Sequence, residues 1–317
     1  MRETIAENIG EAKILGLAFS RDRAMQLDCT LRSFFLHCTD AHETQLLAIY
    51  KGTSELHERQ YAQLAKEYDN VCFLKQTDFR RDIMDILLEF AFDQPTRSRR
   101  MRLRPLPLLP RIFRNIRLVH PWRPVLFMVD DNVFVREFSL HQVYQSLMEQ
   151  QDALGFSLRL GVNTTYCYPL YKSQAVPPFE LLDGQVMKFN WARDGDGDFG
   201  YPLEVSSSIY RVSELVPLLT SFSFRNPNTL EENMANRAKS FREKFPYLLC
   251  FKVSVTFCNP INIVQSVYAN RVRKGFEYSS ERLAQLFDKG YRIDAESYRG
   301  FISNACHQEQ DLTLVLR

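Results

Sequence analysis

The chain has 317 residues, 45% apolar and 25% charged, with a formal net charge of +2. That composition excludes a disordered or fibrous chain and is enough for one large buried core. No run of about 18 apolar residues occurs, so no membrane-spanning helix is expected. The seven cysteines are odd in number and lack CxxC spacing, which argues against a disulfide framework or a structural zinc site and fits a reducing compartment. The first residues, Met1 to Glu7, carry acids and no apolar h-region, so no signal peptide is read there and the expected location is the cytoplasm.

In chain order, residues 13–19 read as a strand, Ser20-Arg-Asp-Arg23 as a polar turn, and 24–37 as a helix with Met25, Leu27, Leu31, Phe34 and Phe35 on or near one face. A second strand is predicted over 45–50. Ser54 is placed to cap a helix that runs to about Tyr68. Residues 71–74 form a third strand and 80–91 a helix with Ile83, Ile86, Leu87 and Phe90 as its apolar stripe. Strand–helix alternation of this kind predicts an α/β fold with a mostly parallel sheet flanked by helices. The order breaks over 95–124, which is rich in Arg and Pro. Beyond it the pattern predicts a strand ending near Val129, a helix over 139–149 and a strand over 153–159. A loop-rich stretch over 161–201 follows. The last third mixes helices (about 212–221, 228–240 and 279–289) with strands near 184–190, 206–211 and 249–255. The expected organisation is one domain, 1–317, with a nucleotide-binding half to about 136 and a divergent sugar- and acceptor-side half from about 137.

The most informative string is Val125-Leu-Phe-Met-Val-Asp-Asp-Asn132. Five apolar residues fit a strand covered on both faces, and two carboxylates at its end repel each other and are costly to desolvate. A divalent metal bridging to phosphate oxygens would offset that cost, at the strand ends where open α/β sheets bind ligands. The plainer reading is that the two Asp residues open a turn.

Three blocks resemble a known family. Leu17-Ala-Phe-Ser-Arg-Asp-Arg-Ala-Met-Gln-Leu27 is similar to the first strand and base-binding turn of GT-A fold glycosyltransferases, Asp130-Asp131-Asn132 to their DxD motif, and Gly197-Asp-Phe-Gly-Tyr-Pro202 with Ser208-Ile-Tyr-Arg211 to an element of bacterial members of uncharacterised specificity. The strings Asn226–Glu231 and Asn304–Glu309 resemble the same group. Two departures stand out: Asn132 replaces the second Asp of a strict DxD, and Ser206-Ser207-Ser208 stands where the group often has Asp-Gly-His.

The resemblance implies a GT-A fold with a Rossmann-like first half. It also implies transfer of a sugar from a nucleotide-diphosphate donor, most simply a UDP-sugar, to a glycan or lipid-linked acceptor, with Mn²⁺ or Mg²⁺ neutralising the leaving diphosphate. Carried onto this chain, it puts Asp131, Asn132 and His307 at the metal, with a solvated tail histidine as the other reading of His307. Ser20, Arg21, Arg23, Tyr50, Asp78 and Asp130 fall on the nucleotide. Trp191 and Tyr201 fall on the sugar or acceptor, and Asp198 beside the transferred sugar as hydrogen-bond partner or base. A core residue is the other reading of Trp191. The acids Glu231 and Glu232 suit a helix start, where they favour the dipole; an inverting transferase needs one carboxylate base and a retaining one does not need it in that position, and the sequence does not decide between the two. Asp194-Gly-Asp-Gly-Asp198 begins like a calcium loop, but Phe199 and Val205 stand where that loop needs Gly and Glu, so this reading is discarded.

The basic segment 97–118 reads as a lid over an anionic donor or acceptor, as a peripheral contact with an anionic membrane surface, or as a solvated loop. No aromatic platform accompanies its charge, so nucleic acid is not an expected partner. Two rivals remain. A nucleotidyltransferase should carry a Gly-rich phosphate loop after the first strand, and this chain has none. A non-catalytic sugar- or nucleotide-binding protein on the same fold is kept open by Asn132 and Ser206–Ser208.

Overall fold

A computed structural model describes residues 12–92, 122–262 and 278–317. The basic segment 97–118 lies outside the described residues. The first half alternates as the sequence pattern requires: β1 (Ile14–Arg21), α1 (Ala24–His37), β2 (Thr44–Lys51), α2 (Glu55–Glu67), β3 (Val71–Lys75), α3 (Phe79–Phe92) and β4 (Pro124–Val129). Then come β5 (Asn132–Phe134), α4 (Leu140–Glu149), β6 (Ala153–Ser157), the small hairpin β7 (Tyr166–Cys167) and β8 (Lys172–Ser173), β9 (Phe179–Leu182) and β10 (Val186–Asn190). The remainder comprises the helical turn α5 (Trp191–Asp194), β11 (Ser208–Arg211), α6 (Val212–Thr220), α7 (Pro227–Arg237), β12 (Tyr247–Phe251), β13 (Thr256–Cys258), α8 (Ser280–Asp288), β14 (Tyr291–Ile293) and β15 (Leu314–Leu316).

Among the described residues, nine strands form one mixed sheet in the order β3-β2-β1-β4-β11-β6-β12-β10-β9. Only β11 and β10 run against the other strands, because β4–β11, β11–β6, β12–β10 and β10–β9 are the antiparallel pairs. The expected α/β class is therefore what the chain adopts, with strands from both halves of the chain in a single sheet. Alternation along β1 shows why both faces must be covered. Leu15, Leu17 and Phe19 pack into one core with α3, α6 and α7, while Ile14 and Ala18 pack into the other with α1, α2, α4 and α8. Strands buried on both faces read as unbroken apolar runs, which is how β1 and β4 were legible.

Helix starts follow local chemistry. Ser54 accepts from the His57 amide (3.4 Å), Ser139 from Gln142 (3.1 Å), and Asn226 with Thr229 closes a reciprocal capping box. Close approach fixes Gly155 on β6: a Cβ there would lie 2.6 Å from the Tyr210 ring on the neighbouring β11. All seven cysteines are unpaired thiols and six are buried, as expected of core fillers. No helix among the described residues is long and apolar enough to cross a membrane.

Candidate active site

β1 and β4 are parallel neighbours, so their carboxyl ends meet and bring the turn after Phe19 against Asp130. Ser20 Oγ donates to Asp130 Oδ2 (2.9 Å), the Arg21 amide approaches the same oxygen (3.3 Å), and Arg23 Nη1 donates to Asp130 Oδ1 (2.9 Å). Because the Ser20 hydroxyl proton goes to Asp130, Tyr61 is the donor in its 2.6 Å contact with Ser20, and Tyr61 in turn accepts from the Arg23 amide (3.0 Å). Asp130 is thus held by three donors, leaving about one acceptor position of its carboxylate for a substrate hydroxyl. Asp22, at φ +55°, folds back on Thr53, accepting from its amide (2.7 Å) and hydroxyl (2.9 Å), and so pins the turn to the end of β2.

Asp131 is treated differently. Arg23 Nη1 stands 3.7 Å away, and 17% of the Asp131 side chain reaches solvent. Burial, together with the neighbouring Asp130 charge, lifts its carboxyl to about 6 despite Arg23. Among the described residues, Arg23 offsets its charge only in part.

Several expected roles are corrected. Asn132 is fully buried: its Oδ1 accepts from the Val129 amide (2.8 Å), and its Nδ2 donates to the Ser206 carbonyl (2.8 Å) and contacts Cys258 Sγ (3.3 Å). Both polar atoms already carry the bonds that close the turn, so Asn132 is not a free ligand like an exposed Asp. Ser20 and Arg23 point inward at Asp130 and Asn262, where they hold the acid in place. Trp191 is 3% exposed with its Nε1 donating to the Phe245 carbonyl (2.8 Å); it is a core residue with no face for a sugar. Asp78 accepts from the Arg81 amide (3.0 Å) at the start of α3, though it stays exposed at the strand-end edge. Arg21 keeps a half-exposed side chain. Tyr50, opposite Ser20 in register, stacks on Tyr61 with centroids 4.5 Å apart.

A second cluster lies on the far side of Asn132. Its Ser206 partner leads to Arg159 and Glu204, which sequence reasoning missed. Arg159 is 4% exposed, reaches Ser206 Oγ (3.1 Å) and pairs with Glu204 at 3.5 Å; Glu204 is 2% exposed. Glu204 also accepts from the Ser206 and Ser208 hydroxyls. The signal was present: each is a single charge inside an apolar string, Phe156-Ser-Leu-Arg-Leu160 and Tyr201-Pro-Leu-Glu-Val205. Asp198 is gripped by Gln174, which donates to its carboxylate (3.3 Å) and accepts from its amide (2.8 Å). Burial raises the Asp198 carboxyl, against the pull of Arg159. Glu231 is raised by burial and then by Glu204, while accepting from the Val205 amide (3.0 Å) and from Tyr201 (3.3 Å). Tyr201 therefore sits in this cluster as a partner of Glu231, which is no mere helix-start acid.

His307 lies beyond Cys258, to which it is bridged. Burial, with Arg159, holds its imidazole down to about 3, so the ring is neutral. It lines a cavity of about 360 Å³ with Tyr166, Tyr168, Asn304 and Glu309, and not the small cleft lined by Asp130 and Asp131. Among the described residues no three His, Cys, Asp or Glu side chains converge on one point. The expected Asp131–Asn132–His307 metal set is thus not assembled. What does fit a cation is Asp131 alone, since ions such as Mg²⁺ are commonly held by one or two carboxylates with substrate phosphates completing the shell.

No protein-family model matches this chain. Over 309 residues it is 24% identical to the bifunctional glycosyltransferase pgtA of Dictyostelium discoideum, across 89% of this chain and 36% of that protein. The chain therefore spans about a third of the length of its curated relative. Among solved structures it is similar to S. aureus TarS (TM-score 0.39, 13% identity, 75% of this chain and 34% of that one). It is also similar to TarS 1-349 (TM-score 0.41, 12% identity, 77% and 59%). The resemblance to glycosyltransferases stated from the sequence is thus matched by a curated relative of that class.

Proposed function

We propose that the chain is a glycosyltransferase that moves a sugar from a nucleoside-diphosphate donor, a UDP-sugar, to a hydroxyl of a glycan or lipid-linked acceptor. The observation that carries this reading is the carboxylate pair at the joined ends of β1 and β4, where, among the described residues, Arg23 only partly offsets Asp131. Similarity to a glycosyltransferase supports the reaction class. On this reading Tyr50, already stacked at the end of β2, packs beside the base, and Arg21 approaches the phosphates from the rim. Asp130, rigidly held, takes a ribose hydroxyl. A divalent ion between Asp131 and the diphosphate would stabilise the charge that develops on the leaving group.

On the acceptor side, Asp198 is the base. Its raised carboxyl makes it a better proton acceptor than an ordinary surface Asp, and Gln174 fixes its orientation. The acceptor hydroxyl would lose its proton to Asp198 as its oxygen bonds to the anomeric carbon and the nucleoside diphosphate departs. A non-catalytic binding protein is the second reading, favoured by the burial of Asn132. Calorimetric titration of UDP, GDP, ADP and CDP, with and without Mn²⁺, on the wild type and on Asp131→Ala tests the site. Metal-dependent binding of UDP, lost in the variant, is expected. Binding of no nucleoside diphosphate in either condition defeats the proposal, and UDP binding without turnover of any UDP-sugar favours the second reading.

A further inference from the structure

Arg23 occupies the position between the two acids where a mobile cation would act. Its Nη1 is 2.9 Å from Asp130 and 3.7 Å from Asp131, and 10% of the side chain is exposed. The other end of the guanidinium donates to the Asn262 carbonyl. Asn262 is itself fixed by Gln26 Nε2 (3.1 Å) and by donating to the Tyr278 carbonyl (2.7 Å), and the Arg23 amide is held by Tyr61. The side chain is therefore anchored at both ends, and its charge is permanent because a guanidinium does not deprotonate in proteins. A bare divalent ion approaching Asp131 meets a pair of acids already half neutralised, with a positive group beside them. An ion arriving with a diphosphate brings its own negative charge, and the repulsion from Arg23 becomes attraction.

We propose that Arg23 is a resident counter-cation that keeps Asp130 and Asp131 closed to free divalent ions, so that metal and nucleoside diphosphate are taken up together. This rests on the nucleotide-sugar reading of the site. The experiment is a Mn²⁺ titration, followed by the solution EPR signal of unbound Mn²⁺, on the wild type, Arg23→Gln and Arg23→Lys, each with and without UDP. The wild type should bind Mn²⁺ alone about ten-fold or more weakly than with UDP, and Arg23→Gln should bind Mn²⁺ alone about ten-fold or more tightly than the wild type, because one nearby like charge is gone. Arg23→Lys, which keeps the charge, should stay weak. Unchanged or weaker Mn²⁺ binding by Arg23→Gln overturns the proposal. So does a wild type that binds Mn²⁺ equally well with and without UDP, a comparison that stands even if Arg23→Gln fails to fold. If UDP binds to no form, the glycosyltransferase reading fails, while the Mn²⁺-only comparison of wild type and Arg23→Gln still decides the role of Arg23.

Discussion

Asp131→Asn should stabilise the protein at neutral pH and cost it its ligand. The variant mimics the protonated acid, removing a negative charge that burial and Asp130 make unfavourable. A carboxyl lifted from 3.8 to about 6 loses roughly 3 kcal/mol on ionising that it would not lose in the unfolded chain. With 17% of the side chain in solvent, screening trims this, and about 2 kcal/mol is the expected gain. The sign follows from linkage. The folded-state value is raised, so the contribution is fully favourable below the unfolded value and is lost as pH rises through about 6. Wild type and variant should therefore be close in stability at about pH 4, with the variant ahead by about 2 kcal/mol at about pH 7.5. Urea unfolding at the two pH values measures it. A gain of equal size at both, or no gain at neutral pH, refutes the claim that Arg23 offsets the Asp131 charge only in part.

Three further changes probe the supports of the site. Ser207 is fully buried at φ +124°, a conformation that favours glycine, and its hydroxyl has no partner. Ser207→Gly should raise stability by about 1 kcal/mol net of glycine's entropy cost, and by more than Ser207→Ala, as read by thermal melting. If alanine matches glycine, backbone strain is not the cause. Gly197 sits at φ +55°, where a Cβ would collide with Gln174 and lie 3.1 Å from Cys167 Cβ. Gly197→Ala should cost about 1–3 kcal/mol and lower turnover by displacing the Gln174 grip on Asp198; wild-type kinetics would dismiss that grip. Tyr61→Phe breaks the relay from the Arg23 amide to Ser20 and should cost about 1–3 kcal/mol in urea unfolding, because two buried groups lose their partner. An unchanged midpoint would show the relay to be dispensable.

How far the sequence reached can be traced residue by residue. The predicted helix over 24–37 has those bounds, and the strand and helix periods of the first half were legible because each element buries a full apolar face. The strand ending in Asp130 was legible for the same reason. Elements of two to four residues, such as β5, β13 and the β7–β8 hairpin, carry too few side chains for a period to show. Roles were harder to read than elements. Asn132 looks like a ligand in its own string; only the arrival of the Ser206 carbonyl and of Cys258, 126 residues away, shows that it is spent inside. Trp191 likewise ends an apolar strand, and its indole partner comes from a loop 54 residues on.

The charge balance explains why one site has two unlike halves. Among the described residues, Arg23 is the buried cation beside Asp130 and Asp131, and Arg159 the one beside Glu204, with Asp198 and Glu231 also in its field. In each half the nearest acid takes the cation and the others are pushed up: Asp131 in the first, Asp198 and Glu231 in the second. A partly offset acid at the β4 end can take a cation brought by an anionic ligand. A raised acid at the far end can take a proton from a neutral hydroxyl. Asn132 and Ser206 join the two halves by a direct bond, with Cys258 packed against both. A structural ion-pair network would gain by satisfying every carboxylate, whereas a site that binds an anion and accepts a proton, as proposed above, would leave both demands open.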